Sequence, residues 1–247
     1  MSPPGEAGTG AGARGGRERD TDADTERPGG SQLHAGWRAA EIEQELPALR
    51  LLAVEVAVGR SGRLTGTSPP DIEARMRAMS SRFRGARAVA LRREPVPAAY
   101  RVFFRHIGMD PDLERTPIEA AVLERMLRGG FPTGGLLADV LLLALLDTGV
   151  PVWALDSTSV EGPLGIRVAA DGERLGRSSA APLLPSGRLV VADASTPLAV
   201  LFGELAPGHE PRARTRSVQL FSVLVGGVPD LYAEEALWAC RAALEAS

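Results

Sequence analysis

The segment that most limits how this chain can fold is Leu136 to Leu146, LLADVLLLALL, apolar around the whole circumference of a helix except for one carboxylate, Asp139. A helix without a polar face has to be enclosed by other elements. It is also too short to cross a bilayer, which takes about 20 apolar residues. RGGFPTGG precedes the run, and Gly149 with Pro151 follows it, so the pattern predicts a helix from near Thr133 and then a strand over Val150 to Leu155. An ionised Asp139 inside such a helix needs a partner, because an unpaired buried carboxylate is costly. The expected role is a structural anchor, bonded to a neighbouring loop or to Arg167.

The surrounding elements follow from the same signals. Met1 to Gly36 holds almost no large apolar side chain and is expected to be a disordered tail; residues 37–247 are expected to form one domain. WRAAEIEQEL, from Trp37, reads as a short helix ended by Pro47, and LLAVEVAVG as a strand. Ser68 before Pro69 and Pro70 is the N-cap candidate of a second helix reaching about Phe83. AAYRVFFRHIG is a third, closed by Gly108, and Thr116 with Glu119 forms the capping-box signature of a fourth. Further strands are expected at Gly165 to Ala169, Arg188 to Val191, Ala199 to Phe202 and Arg216 to Val225, before a terminal amphipathic helix, LYAEEALWACRAALEA. Helices interleaved irregularly with strands predict an α/β (α+β) fold with mixed sheets and packed helices.

Composition narrows the chemistry. Cys240 is the sole cysteine, so neither a disulfide framework nor a thiolate metal site is expected. No apolar leader opens the chain, and a cytoplasmic location is expected. A net charge of -3 speaks against an indiscriminate nucleic-acid binder, and DNA and membrane partners are not expected. All 28 basic residues are arginine, so arginine cannot be read as chosen over lysine.

Several polar positions are site candidates. RGGFPTGG offers either a tight turn between two helices or backbone amides for an anion; it lacks the Lys and Ser/Thr of a P-loop. Asp156 ends a strand and is followed by Ser157, Thr158 and Ser159, which suits an Asx turn or a polar cleft. Glu161 extends that loop. Arg212, Arg214 and Arg216 alternate, so on an extended segment they share one face and could follow a phosphate backbone, or guard a strand edge. Arg101 and Arg105, a helical turn apart, form a second basic pair. His34, His106 and His209 have no Ser or Cys spaced to make a triad.

A family resemblance joins these fragments. Tyr100-Arg101 leads to a Gly-x-Asp-Pro turn (Gly108, Asp110, Pro111), followed by Arg115, Glu119 and Ala120 ahead of a helix closing in Arg-Gly-Gly; Gly149, Pro151, Ala154 and Asp156 then precede Glu161, Gly162, Arg167, Gly172 and Glu173. In order and spacing this resembles the B3/B4 editing and tRNA-binding domain of the phenylalanyl-tRNA synthetase beta subunit, over roughly Leu46 to Leu237. The resemblance implies a three-layer fold, tRNA as partner, no cofactor, and a pocket that in the family hydrolyses mischarged tRNA with an Asn, a His and a Glu. Here those positions are Leu142, Trp153 and Phe221, and two positions that the family keeps small are Leu201 and Phe202. These five are expected to line the pocket. The chain is too short for a complete tRNA ligase and looks like a freestanding relative. The resemblance thus implies a tRNA-binding protein that has lost the synthetase-type site. Two alternatives stand beside it: a trans-acting aminoacyl-tRNA deacylase of altered specificity using Asp156 or Glu161, or a noncatalytic small-ligand module. The oligomeric state is left open.

Overall fold

The computed structural model describes Met1, residues 32–59 and residues 64–247. Within these residues the chain forms an α/β fold with two four-stranded sheets. The first sheet has the order β1 (His34–Ala35), β3 (Arg50–Ala57), β8 (Ser217–Leu224), β4 (Val152–Asp156), antiparallel throughout. The second runs β2 (Trp37–Arg38), β5 (Gly165–Val168), β6 (Leu189–Ala192), β7 (Pro197–Val200), with β2 parallel to β5 and the other pairs antiparallel.

Seven α-helices are seen among the described residues: α1 (Ala40–Glu45), α2 (Pro70–Arg82), α3 (Ala86–Ala90), α4 (Pro95–His106), α5 (Pro117–Arg128), α6 (Leu136–Thr148) and α7 (Asp230–Glu245). Helix α7 lies along β3 and β8, and α6 packs on α7, α2 and β4. Burial of α6 is therefore achieved from several sides, with Leu136, Val140, Leu143, Ala144, Leu145 and Leu146 all in the core. Cys240, on α7, is fully buried, and burial pushes its thiol up to about 12, so it packs as an apolar side chain.

Three local expectations are corrected. Most of the supposed tail, residues 2–31, lies outside the described residues, but its end does not: His34–Ala35 is strand β1. Trp37 and Arg38 do not start a helix, because they pair with Gly165 and Ile166 as β2; helix α1 begins only at Ala40. The close approach requires glycine, since a Cβ at Gly165 would lie 2.1 Å from the Trp37 ring. Ser68 does not cap α2: the cap residue is Pro69, and the Ser68 hydroxyl donates instead to Asp139, 71 residues away. Helices α3 and the 3-10 turn Leu91–Arg93 had no counterpart in the sequence reading. Around α5 the reading holds: the capping box of Thr116 and Glu119 is formed. No helix among the described residues is long and apolar enough to cross a membrane.

Candidate functional site

The strand register puts Trp153 of β4 directly opposite Phe221 of β8, so both project from one face of the first sheet. Their rings stack at 5.6 Å with an interplanar angle of 14°. Phe202, just past β7, comes from the second sheet and meets Trp153 at 5.9 Å. It also contacts Tyr100, Phe103 and Phe104 of α4 at 5.6, 5.8 and 5.4 Å. The result is an aromatic plug between helix α4 and the two sheets. Phe202 is the one non-glycine residue with positive φ (58°) among those described, a left-handed conformation that costs a side-chain-bearing residue about 1 kcal/mol or more. Tyr100 is anchored below the plug by its hydroxyl, which donates to the Val223 carbonyl at 2.9 Å; burial pushes the phenol far above its ordinary pKa. Leu142 is half-buried in α6 and packs on the core. Of the five side chains expected at the pocket, Leu201 borders an open cavity, described below.

Beside the plug, at the end of β4, lies a polar corner. Asp156 accepts from the Thr158 N–H at 3.0 Å and its hydroxyl at 2.7 Å, an Asx turn, and from the Thr215 hydroxyl. Burial works to raise its pKa, but these hydrogen bonds and the charge of Arg212 outweigh it and hold the carboxyl below the usual carboxylate range. A carboxylate held ionised in this way is a weak general base at neutral pH. The Glu161 side chain is largely exposed, 3.3 Å from Arg177.

The dominant group of this corner was missed by the sequence reading. Asp193 is fully buried and accepts from the N–H groups of Glu161 (2.9 Å), Ser195 (3.0 Å) and Thr196 (2.8 Å) and from Arg177 at 2.6 Å. Arg177 also donates to the Ser159 carbonyl at 2.7 Å and lies 3.4 Å from His209 Nε2. One pair therefore ties the loops after β4, β5 and β6 together. The signal was available locally: Asp193 is followed by Ser195 and Thr196, an Asx-type spacing. Burial favours the neutral Asp193, yet the three N–H donors and then Arg177 prevail, and its pKa is lowered. Such a group adds stability that is complete above the unfolded carboxyl value of about 3.9 and fades as pH falls through the lower folded value. Asp193→Asn is thus expected to be less stable at pH 7 and to show a flatter stability profile below about pH 4, read by urea denaturation across that range; a parallel profile for wild type and variant would contradict the assignment.

The remaining candidates separate cleanly. Asp139 is buried and accepts from Ser68 Oγ at 2.7 Å and from the Gly134 N–H at 2.9 Å. It anchors a neighbouring loop, as one expected partner required. The other expected partner, Arg167, is instead engaged with Glu173. Within RGGFPTGG the Phe131 N–H donates to Ser80 Oγ and the Gly134 N–H to Asp139, and at the helix start that follows it Leu136 and Leu137 donate to the carbonyls of Gly66 and Leu64, so these four amides are engaged inside the protein. Gly135, at φ 95°, allows this contact, since a Cβ there would come within 2.9 Å of the Gly66 oxygen. The basic pair on α4 divides. Arg101 is buried between Glu119 (2.7 Å) and Asp112 (2.8 Å), so it faces the interior and not a ligand, while Arg105 is exposed. Arg212, Arg214 and Arg216 are all exposed, but not on a strand. Thr215 N–H donates to the Arg212 carbonyl and its hydroxyl accepts from the Arg212 N–H, so this stretch is a tight turn that ends before β8.

Comparison with known proteins places this geometry in a sequence context. The chain is 32% identical over 118 residues to the phenylalanine–tRNA ligase beta subunit of Xylella fastidiosa, covering 46% of this chain and 14% of the relative. It is 34% identical over 94 residues to the same subunit of Xanthomonas oryzae pv. oryzae (38% of this chain, 12% of the relative). To that of Legionella pneumophila it is 30% identical over 117 residues (47% and 14%). The matched part thus spans about one seventh of the curated relatives. No family model matches the chain. These similarities relate the chain to that subunit and support a role connected with tRNA synthetases at that general level.

Proposed function

We propose that this chain is a B3/B4-type module that binds tRNA and has lost the synthetase-type hydrolytic site. The observation that carries the reading is the Trp153, Phe221 and Phe202 plug, apolar where the resemblance implies His, Glu and a small residue. A pocket built to hydrogen-bond a polar side chain loses that ability when its donors and acceptors become rings. The exposed arginines 212, 214 and 216, next to the polar corner at Asp156, are the surface offered to the phosphate backbone. Kinship with a tRNA ligase subunit supports tRNA as the nucleic acid.

Fluorescence anisotropy with bulk tRNA tests this. Arg212→Ala/Arg214→Ala/Arg216→Ala is expected to weaken binding about 10-fold or more at moderate salt and to reduce the salt slope by about one per arginine that touches phosphate. Unchanged affinity and slope would reject the turn as the contact surface. A second arm incubates wild type and Asp156→Ala with a panel of mischarged tRNAs. No turnover is expected; hydrolysis by the wild type that Asp156→Ala abolishes would replace the binding reading with a deacylase.

A further inference from the structure

A cavity of about 340 Å³ opens between α1, the end of α4 and the β5–β6 hairpin, away from the polar corner. Its walls are aliphatic: Ile42, Leu46, Ile107, Met109, Leu189 and Leu201. Ile42 and Leu201 belong to the core, whereas Leu46, Ile107, Met109 and Leu189 are only half-buried and keep apolar surface turned to open space. Three polar groups stand on the same walls, Glu45, His106 and Arg188. Among the described residues the side chains of Glu45 and Arg188 make no hydrogen bond and no ion pair, with each other or with any neighbour, whereas Arg167, Arg174 and Arg177, on β5 and the loop that follows it, are all engaged. One unengaged anion and one unengaged cation therefore share the border of an aliphatic hole.

This combination selects a ligand. A phosphate or nucleotide is disfavoured by Glu45, and a purely apolar molecule leaves both charges without partners. A zwitterion with an aliphatic tail satisfies all three features, carboxylate on Arg188, ammonium on Glu45 and tail against the walls. We propose that the cavity binds a free aliphatic amino acid. An aminoacyl group esterified to RNA has no carboxylate to offer Arg188, so the arrangement favours the free acid over an ester; of the five residues expected at the synthetase-type pocket Leu201 alone lines this cavity. It stands independently of the tRNA reading.

The probe is L-leucine, titrated into 15N-labelled full chain, with 4-methylpentanoate (no ammonium) and L-leucine methyl ester (no carboxylate) beside it. Saturable shifts of the Ile107 and Leu189 amides are expected with L-leucine. Each analogue should bind about 10-fold more weakly, the size of one lost charge-assisted contact. Arg188→Ala should erase the preference for L-leucine over its ester, and Glu45→Gln the preference over 4-methylpentanoate, with unchanged circular dichroism in both. Equal affinity for the three compounds, no saturable shift, or preferences that survive both substitutions would each overturn the proposal.

Discussion

Glu119→Ala is expected to remove about 3–5 kcal/mol of folding stability, the usual cost of leaving a buried charge without its partner. The Glu119 side chain is 4% exposed and holds Arg101 at 2.7 Å and Arg92 at 3.0 Å. It also accepts from the Thr116 hydroxyl at 2.8 Å, closing the start of α5. Alanine takes away the anion and the cap in one step, while the Arg101 guanidinium stays buried beside Pro111 and α4. Asp112 still meets Arg101 but is half exposed and compensates only in part. For the same reason Asp112→Ala should cost far less than Glu119→Ala. Thermal unfolding distinguishes them, with a midpoint lowered by roughly 10 °C for Glu119→Ala and by a few degrees at most for Asp112→Ala. Equal shifts for the two variants would show that α4 and α5 are not joined by a buried pair.

The second large effect is at Phe202. Its ring contacts Tyr100, Phe103, Phe104 and Trp153, so truncation to alanine is expected to cost about 3 kcal/mol, the lower end of the range for a ring that is not wholly buried. The backbone adds a reversal. At φ 58° alanine keeps the left-handed strain and glycine releases it. Phe202→Gly should therefore be more stable than Phe202→Ala by about 1 kcal/mol, opposite to the order at ordinary positions. Urea denaturation of the two variants decides; alanine equal to or above glycine would mean that the position carries no strain. Either variant also empties the plug next to Trp153, and new binding of small aromatic molecules there, seen as a change in tryptophan fluorescence, would confirm that the rings close a cavity.

Local chemistry explains which of these features were legible beforehand. Thr116 and Glu119 are three residues apart, and their reciprocal capping needs nothing from the rest of the chain. The demand that Asp139 be paired also follows from its apolar surroundings alone. Its partner does not: Ser68 stood where a helix cap is expected, and only the packing of α2 on α6 turns its hydroxyl to the carboxylate. Arg101 and Arg105 looked equivalent by spacing, yet one turns inward and the other outward, because the loop carrying Asp112 folds back over α4. Arg212, Arg214 and Arg216 would share one face on an extended segment, but Thr215 bonds to the Arg212 N–H and carbonyl and closes a turn. Trp153 and Phe221 were placed in one pocket by resemblance; that they stack follows from a strand register that only the folded sheet defines.

The two-residue strands β1 and β2 are separated by Gly36 alone, yet each ends a different sheet, β1 beside β3 and β2 beside β5. A single short arm therefore shields part of an outer strand in both sheets at once. In a chain whose arm detaches, the backbone groups of Leu52, Ala53, Gly165 and Ile166 become open templates for pairing with other molecules. Self-association would then start at two separate edges at once, and the arm acts as a guard against aggregation as well as a clasp between the sheets.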